Sequence, residues 1–100
     1  MRSIRLRRAA EADVIEAFLW YEESRPGLGG DFEAAVDEMV ERIAESPQLY
    51  PVVYRDTRRA LLKRFPYILY YYVAGEEIVV IACLHTRRDP RLLRRRRREA

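Results

Sequence analysis

Few side chains in this chain can move protons or act as nucleophiles, and many can hold negative charge. There is one histidine, His85, and one cysteine, Cys83. A zinc site built from His and Cys is therefore set aside, and no other cofactor is expected. A lone histidine can serve as a general base, but more often it ends a strand and hydrogen-bonds a loop. Cys83 sits in the most apolar stretch and reads as a small core residue. Arg64, just before Phe65-Pro66-Tyr67, either pairs with an acid on a helix or serves a site. Tyr67, Tyr70, Tyr71 and Tyr72 could stack nucleobases. Core packing and contact with a protein partner are the better readings, because tyrosine is common in sheets and interfaces. The run Arg94 to Arg98 could hold nucleic-acid phosphates. Its bland alternative, a solvated and disordered tail over residues 91–100, carries more weight.

These residues need a frame, and Arg58 to His85 supplies it. The stretch reads as three antiparallel strands, Arg59–Phe65, Tyr67–Val73 and Ile78–Leu84, rich in β-branched and aromatic residues. Pro66 separates the first from the second. Ala74-Gly75-Glu76-Glu77 is a hairpin-sized gap. Strict alternation puts Tyr67, Leu69, Tyr71 and Val73 on one face, with Ile68, Tyr70 and Tyr72 on the other. In the third strand Ile78, Val80, Ala82 and Leu84 oppose Val79, Ile81, Cys83 and His85. Both faces are apolar, whereas a half-wet antiparallel sheet alternates with polar residues. Each face must therefore be covered, by helices on one side and by the tail, a second copy or a partner on the other.

Upstream, Ser3–Arg7 alternates Ile4 and Leu6 with charge and reads as an edge strand. Glu11–Glu23 reads as a helix with an apolar stripe of Val14, Phe18 and Tyr21, widened by Ile15 and Leu19. Glu11 and Asp13 would sit in its first turn, where the helix dipole favours acids. Arg25 to Gly30 stops it. A second helix, capped by Asp31, runs to about Ser46 with Phe32, Val36, Met39 and Ile43 inward and a Glu38–Arg42 pair outward. The Gly-rich connection makes an antiparallel hairpin. Pro47 to Thr57 is a loop whose Tyr50, Pro51 and Tyr54 pack down. The fold expected is α+β, in the order β-α-α-β-β-β, with the helical hairpin on a mainly antiparallel four-stranded sheet.

A hundred residues make one domain over 1–100 with a modest core, and 35% charged beside 49% hydrophobic residues fits a globular chain. No apolar run approaches the ~20 residues of a membrane span, and no secretory signal follows the basic start. A reducing cytoplasm is the default location. Net charge is only +3 but is lopsided. Residues 9–54 hold eleven acidic and two basic side chains, and residues 55–100 hold thirteen basic and five acidic. Acidic helices thus oppose a basic sheet and tail, which suits an acidic partner.

Several local words, in this order, match a family. They are Ala12-Asp13-Val14 through Trp20-Tyr21, Gly27-Leu28-Gly29 before Phe32, and Ser46-Pro47 with Tyr50-Pro51. The strongest are Arg64-Phe65-Pro66-Tyr67-Ile68-Leu69-Tyr70 and His85-Thr86-Arg87-Arg88-Asp89-Pro90. The chain resembles the RelE/ParE superfamily of toxins from bacterial type II toxin–antitoxin systems, and more closely its ParE-like, plasmid-stabilisation branch. The resemblance implies a toxin held inactive by a cognate antitoxin, in a complex that can be a heterotetramer. The antitoxin's C-terminal segment would wrap the toxin and cover the spare sheet face, through Ile68, Tyr70, Tyr72, Arg59 and Lys63.

The superfamily divides by mechanism. RelE-like members cut messenger RNA on the ribosome, which needs a base, an acid and cations for the phosphate. They carry an arginine where this chain has Ile68, and lysines on a strand that here holds Arg58, Arg59, Lys63 and Arg64. A nuclease set of His85, Arg64 and Arg87 can still be assembled, with Arg87 or Arg88 as phosphate clamp. ParE-like members inhibit DNA gyrase by binding. The missing arginine favours a gyrase-directed inhibitor over an enzyme. Arg88, Arg91, Arg94 and Arg95 are the candidates for contacting the target or nucleic acid. A non-toxic relative is the third alternative.

Overall fold

The computed structural model describes residues 2–100. In chain order the elements are β1 (Ser3–Leu6), α1 (Arg8–Ser24), α2 (Leu28–Glu45), β2 (Val52–Tyr54), β3 (Thr57–Leu61), β4 (Tyr67–Ala74), β5 (Glu77–His85) and α3 (Pro90–Glu99). One sheet runs β1-β5-β4-β3-β2. All pairings are antiparallel except β1 with β5. The sheet has five strands rather than four, because Val52–Tyr54, read as loop, pairs at the outer edge. Tyr50 and Tyr54 do pack down, Tyr50 on the helix side and Tyr54 on the other.

The helical hairpin covers one sheet face. Phe32, Val36, Met39 and Ile43 are all buried there, as their spacing predicts. Ile15 and Leu19 are not part of the stripe; they lie more than half exposed on the outer side of α1. α1 also begins earlier, at Arg8, so Glu11 is its first-turn acid and Asp13 sits a turn further in. α2 starts at Leu28, and Asp31 is not its cap. The Glu22 carboxylate, in the last turn of α1, accepts from the backbone N–H of Gly27 and Gly29 at 2.9 and 3.0 Å instead. A Cβ on Gly29 would lie 2.7 Å from the Phe18 carbonyl oxygen, while one on Gly30 would meet nothing within 4 Å. Gly29→Ala is expected to cost about 1–3 kcal/mol by forcing the helices apart. Gly30→Ala should gain about 0.5 kcal/mol from helix propensity. Urea denaturation of the two variants checks the contrast.

β3 ends at Leu61, not Phe65. Arg64 adopts a left-handed backbone, φ 70°, and Leu62–Pro66 forms a bend that buries Phe65. The β4–β5 hairpin turns at Gly75-Glu76 with Gly75 at φ 61°. Register slips by one residue where Tyr70 faces Ala82 and Tyr71 faces Val80. Ile81 is the extra residue of a bulge, so strict alternation fails there. Ile78, Val80 and Cys83 join the core under the helical hairpin, and Val79, Ile81, Ala82 and Leu84 form the opposite cluster. Tyr71 stays on the hairpin side, its buried hydroxyl donating to the Pro47 carbonyl at 2.7 Å.

The arginine-rich end is not a disordered tail. It is α3, and it covers the second face. Asp89 caps it by accepting from the Arg91 N–H at 2.9 Å, with Pro90 in the first turn. Leu93 is buried against Val79, Ile81, Ala82 and Leu84. Arg97 binds both oxygens of Asp56 at 3.0 and 3.1 Å and lies 3.9 Å over the Tyr72 ring. These contacts repeat at helical spacing through a run that looks uniformly solvated in one dimension. The chain therefore closes its own sheet face, and the need for a partner to cover that face disappears.

Candidate functional site

β1 covers one edge of β5 only as far as Val80, whose carbonyl accepts from the Arg7 N–H at 2.9 Å. Beyond it the edge needs other partners. Asp13 on α1 accepts from the Cys83 N–H at 3.0 Å, and Arg96 on α3 donates to the Ile81 carbonyl at 2.9 Å. The two side chains also form a bidentate pair, both contacts 2.8 Å. Asp13 first, and burial in the opposite sense, sets the Arg96 guanidinium, whose pKa lies above its ordinary value. This clamp ties α1, β5 and α3 together.

Beside the clamp lies a cavity of about 420 Å³. One wall is α1, with Glu16, Trp20 and Tyr21; the other is the end of β5 and the start of β4, with Cys83, His85 and Tyr67. The Ile81 bulge is what turns Cys83 and His85 toward this side. The His85 ring meets Tyr67 edge-on, centroids 5.2 Å apart. As expected, His85 ends a strand and bonds a loop: its Nδ1 accepts from the Arg87 N–H at 3.1 Å. The neutral ring then carries its proton on Nε2.

The thiol and the two phenols beside His85 are poor proton carriers, while the Glu16 carboxylate shares the cavity with it. Burial pushes the Cys83 thiol up to about 12, with the Asp13 charge adding to the effect. It is a core residue and no nucleophile near neutral pH. Burial likewise raises the Tyr21 phenol, and it raises that of Tyr67 with help from Tyr21. Both stay protonated.

The other anticipated residues are dispersed. Arg64 stands beside Asp31 on α2 at 3.8 Å, mostly exposed, with its guanidinium 5.7 Å from the Phe65 ring. This is the acid on helix two that its sequence position suggested. Neither Arg64 nor Arg87 lines the cavity, whereas Arg88 does. Ile68 is buried in β4. Tyr70 and Tyr72 pack against the cluster under α3 and are not an open platform. Arg59 lies beside them near Leu93, and Lys63 is exposed, 3.6 Å from Glu38. Arg88, Arg91 and Arg95 share a second hollow, while Arg94 stacks 5.7 Å over Tyr54. Asp13, Glu16 and Trp20 were not singled out as site residues. Trp20, apolar yet mostly exposed, was the available signal, but exposure is invisible without α1's true orientation. Among the described residues no cluster of His, Cys, Asp and Glu can hold a metal. No described helix is long and apolar enough to cross a membrane.

The family model described as ParE toxin of type II toxin-antitoxin system, parDE, matches residues 4–90. Toxin ParE2 of Mycobacterium tuberculosis, strains CDC 1551 / Oshkosh and H37Rv, is 27% identical over 90 residues, covering 89% of this chain and 86% of that protein. A chain from the solved chromosomal ParDE TA system from P. aeruginosa superposes with a TM-score of 0.65 at 23% identity, over 85% of this chain and 96% of that one. That likeness speaks to the fold. The family match runs from β1 to the first residue of α3, through every element that builds the cavity, and the chain belongs to the ParE toxin family of type II toxin–antitoxin systems.

Proposed function

We propose that this ParE-family chain inhibits DNA gyrase by binding it, and that a cognate antitoxin neutralises it. The observation that carries the binding half is the sparse set of cations around His85: of the described lysines and arginines, Arg88 alone lines its cavity. Phosphodiester cleavage needs a second proton carrier and cations around the scissile phosphate. Here Ile68 is buried where a ribosome-dependent nuclease has arginine, Arg64 is drawn to Asp31, and the nearest phenol and thiol hold their protons. The antitoxin half is supported by the likeness to a chain of a ParDE toxin–antitoxin system. With the second sheet face closed, one open apolar surface is the groove between α1 and α2, where Ile15 stands with Leu6, Val14 and Val40. Glu11, Glu33 and Asp37 rim this groove, which suits an apolar segment with basic flanks. Two such pairs would make a heterotetramer, which the mass of the purified complex tests.

Gyrase supercoiling and ribosome-dependent cleavage of a translated message should be assayed on the same purified chain. Supercoiling should fall while the message stays intact, and added antitoxin should restore it. Cleaved message with normal supercoiling would overturn the proposal and return His85 to a catalytic role. If neither changes, the non-toxic relative is the better description.

A further inference from the structure

The aromatic cavity does not stand alone. Arg88 lines it and also lines the second hollow, of about 430 Å³, with Arg91 and Arg95. A ring-walled recess thus lies next to a cluster of guanidinium groups, with Arg88 common to both. Neither Arg88 nor Arg95 has a carboxylate partner among the described residues. Arg91 is held by Asp89 through Nε and Nη2 at 3.0 and 2.8 Å, which leaves Arg88 and Arg95 as the unpaired cations of the hollow and Arg91 as a partly neutralised third. From the hollow, Arg91, Arg95 and Arg98 follow one exposed face of α3 over about 10 Å. Trp20, the chain's one tryptophan, is 63% exposed at the mouth of the recess, which core packing does not explain.

An exposed aromatic ring at a recess, followed by a track of cations, supplies the two parts of a surface for unpaired nucleotides. A duplex would meet the arginines but could not enter the recess without unstacking a base. An acidic polypeptide fits less well, because Glu16 and Asp13 stand on the α1 wall among the rings. A carboxylate there repels an acidic side chain but accepts from the N–H edge of a base. We propose that the two hollows form one binding site for single-stranded nucleic acid. One base enters the recess against Trp20, Tyr67 and His85 with its N–H edge toward Glu16, and the adjoining phosphates lie on Arg88, Arg91 and Arg95. The site binds without cleaving, because Ile68 is buried where a nuclease places arginine and the cations follow α3 rather than surround His85. It is separate from the gyrase reading, and its test contains neither gyrase nor ribosome.

The test uses the full chain with oligothymidylate, oligouridylate and a mixed duplex, each of about twelve nucleotides. Trp20 fluorescence reports stacking, and anisotropy of labelled oligonucleotides reports affinity. Saturable quenching by single strands is expected, with the duplex at least about tenfold weaker. Equal binding of the two single strands assigns the shared base-and-phosphate chemistry; a preference for uridylate adds a 2′-hydroxyl contact. Either supports the site. Trp20→Ala should weaken binding about tenfold in the anisotropy arm. Arg88→Ala and Arg95→Ala should each lower the slope of log affinity against log salt by about 0.7. Lys63→Ala, an equally exposed cation elsewhere, should leave that slope unchanged. All four positions are exposed, so the fold should survive each change. The site is refuted by duplex binding as tight as single-strand binding, by full affinity in Trp20→Ala, or by equal competition from polyglutamate. Absence of quenching at ~50 mM salt also refutes it.

Discussion

Replacing Asp13 by alanine is expected to destabilise the fold by about 3 kcal/mol, through loss of a paired, mostly desolvated carboxylate. Three bonds are lost together: the two to Arg96 and the one from the Cys83 N–H. Arg96 is left with a largely buried guanidinium and only the Ile81 carbonyl. For a chain of this size the midpoint of thermal unfolding should fall by roughly 15 °C. The damage should be directional. Amides of α3 and of β5 after Val80 should lose hydrogen-exchange protection before those of α2, because the clamp joins the first two. Arg96→Met, which removes one charge but keeps the aliphatic stem, should also destabilise. The double variant should cost less than the two single costs added, since the partners share one interaction. Strict additivity would mean that the pair contributes nothing as a pair.

Phe32→Ala should be the most damaging single truncation, at about 3–5 kcal/mol for a buried aromatic. The ring is fully buried and lies 5.2–5.4 Å, centroid to centroid, from Tyr21, Phe65 and Tyr67. Its removal opens a void behind two of the rings that wall the cavity. Against the ~5–15 kcal/mol that holds an ordinary domain together, this is a large fraction. Phe32→Leu keeps much of the volume and should cost only about 1–2 kcal/mol. Urea unfolding of the three proteins, with unchanged denaturant dependence, checks the order. A Phe32→Ala protein as stable as the parent would mean that the aromatic cluster is not the centre of this core.

What could be read from the chain alone followed from periodicity. The inward residues of α2, the three-strand meander and the edge strand at Ile4 and Leu6 all rest on spacing, and spacing survives folding. The misreadings have physical causes of their own. The Ile81 bulge breaks a period of two, and no residue type announces it, so Cys83 and His85 kept company with the right neighbours only in the fold. Asp13 looked like a dipole acid, because its partner lies at the other end of the chain. The arginine run concealed an amphipathic helix, since Arg96 and Arg97 are inward through ion pairs that hydrophobic patterning does not register. Ile15 and Leu19 looked like core because α1's rotation on the sheet is set by Ala10 and Ala17, which are small and easily overlooked. That the Arg64 and Arg87 side chains stay out of the His85 cavity was not legible, because it depends on the left-handed turn at Arg64 and on the loop after His85.

The clamp between Asp13 and Arg96 also bears on when the molecule becomes itself. Synthesis delivers β1 and α1 first, yet β1 has no strand to pair with until β5 emerges, and Asp13 waits longer still for α3. Such distant pairings close late, and incomplete chains keep their apolar strands uncovered. A growing chain therefore lacks the assembled wall of α1, β5 and α3 until α3 has left the ribosome. The cavity that this wall bounds thus exists only once both ends of the fold have met, well after α1 itself can form.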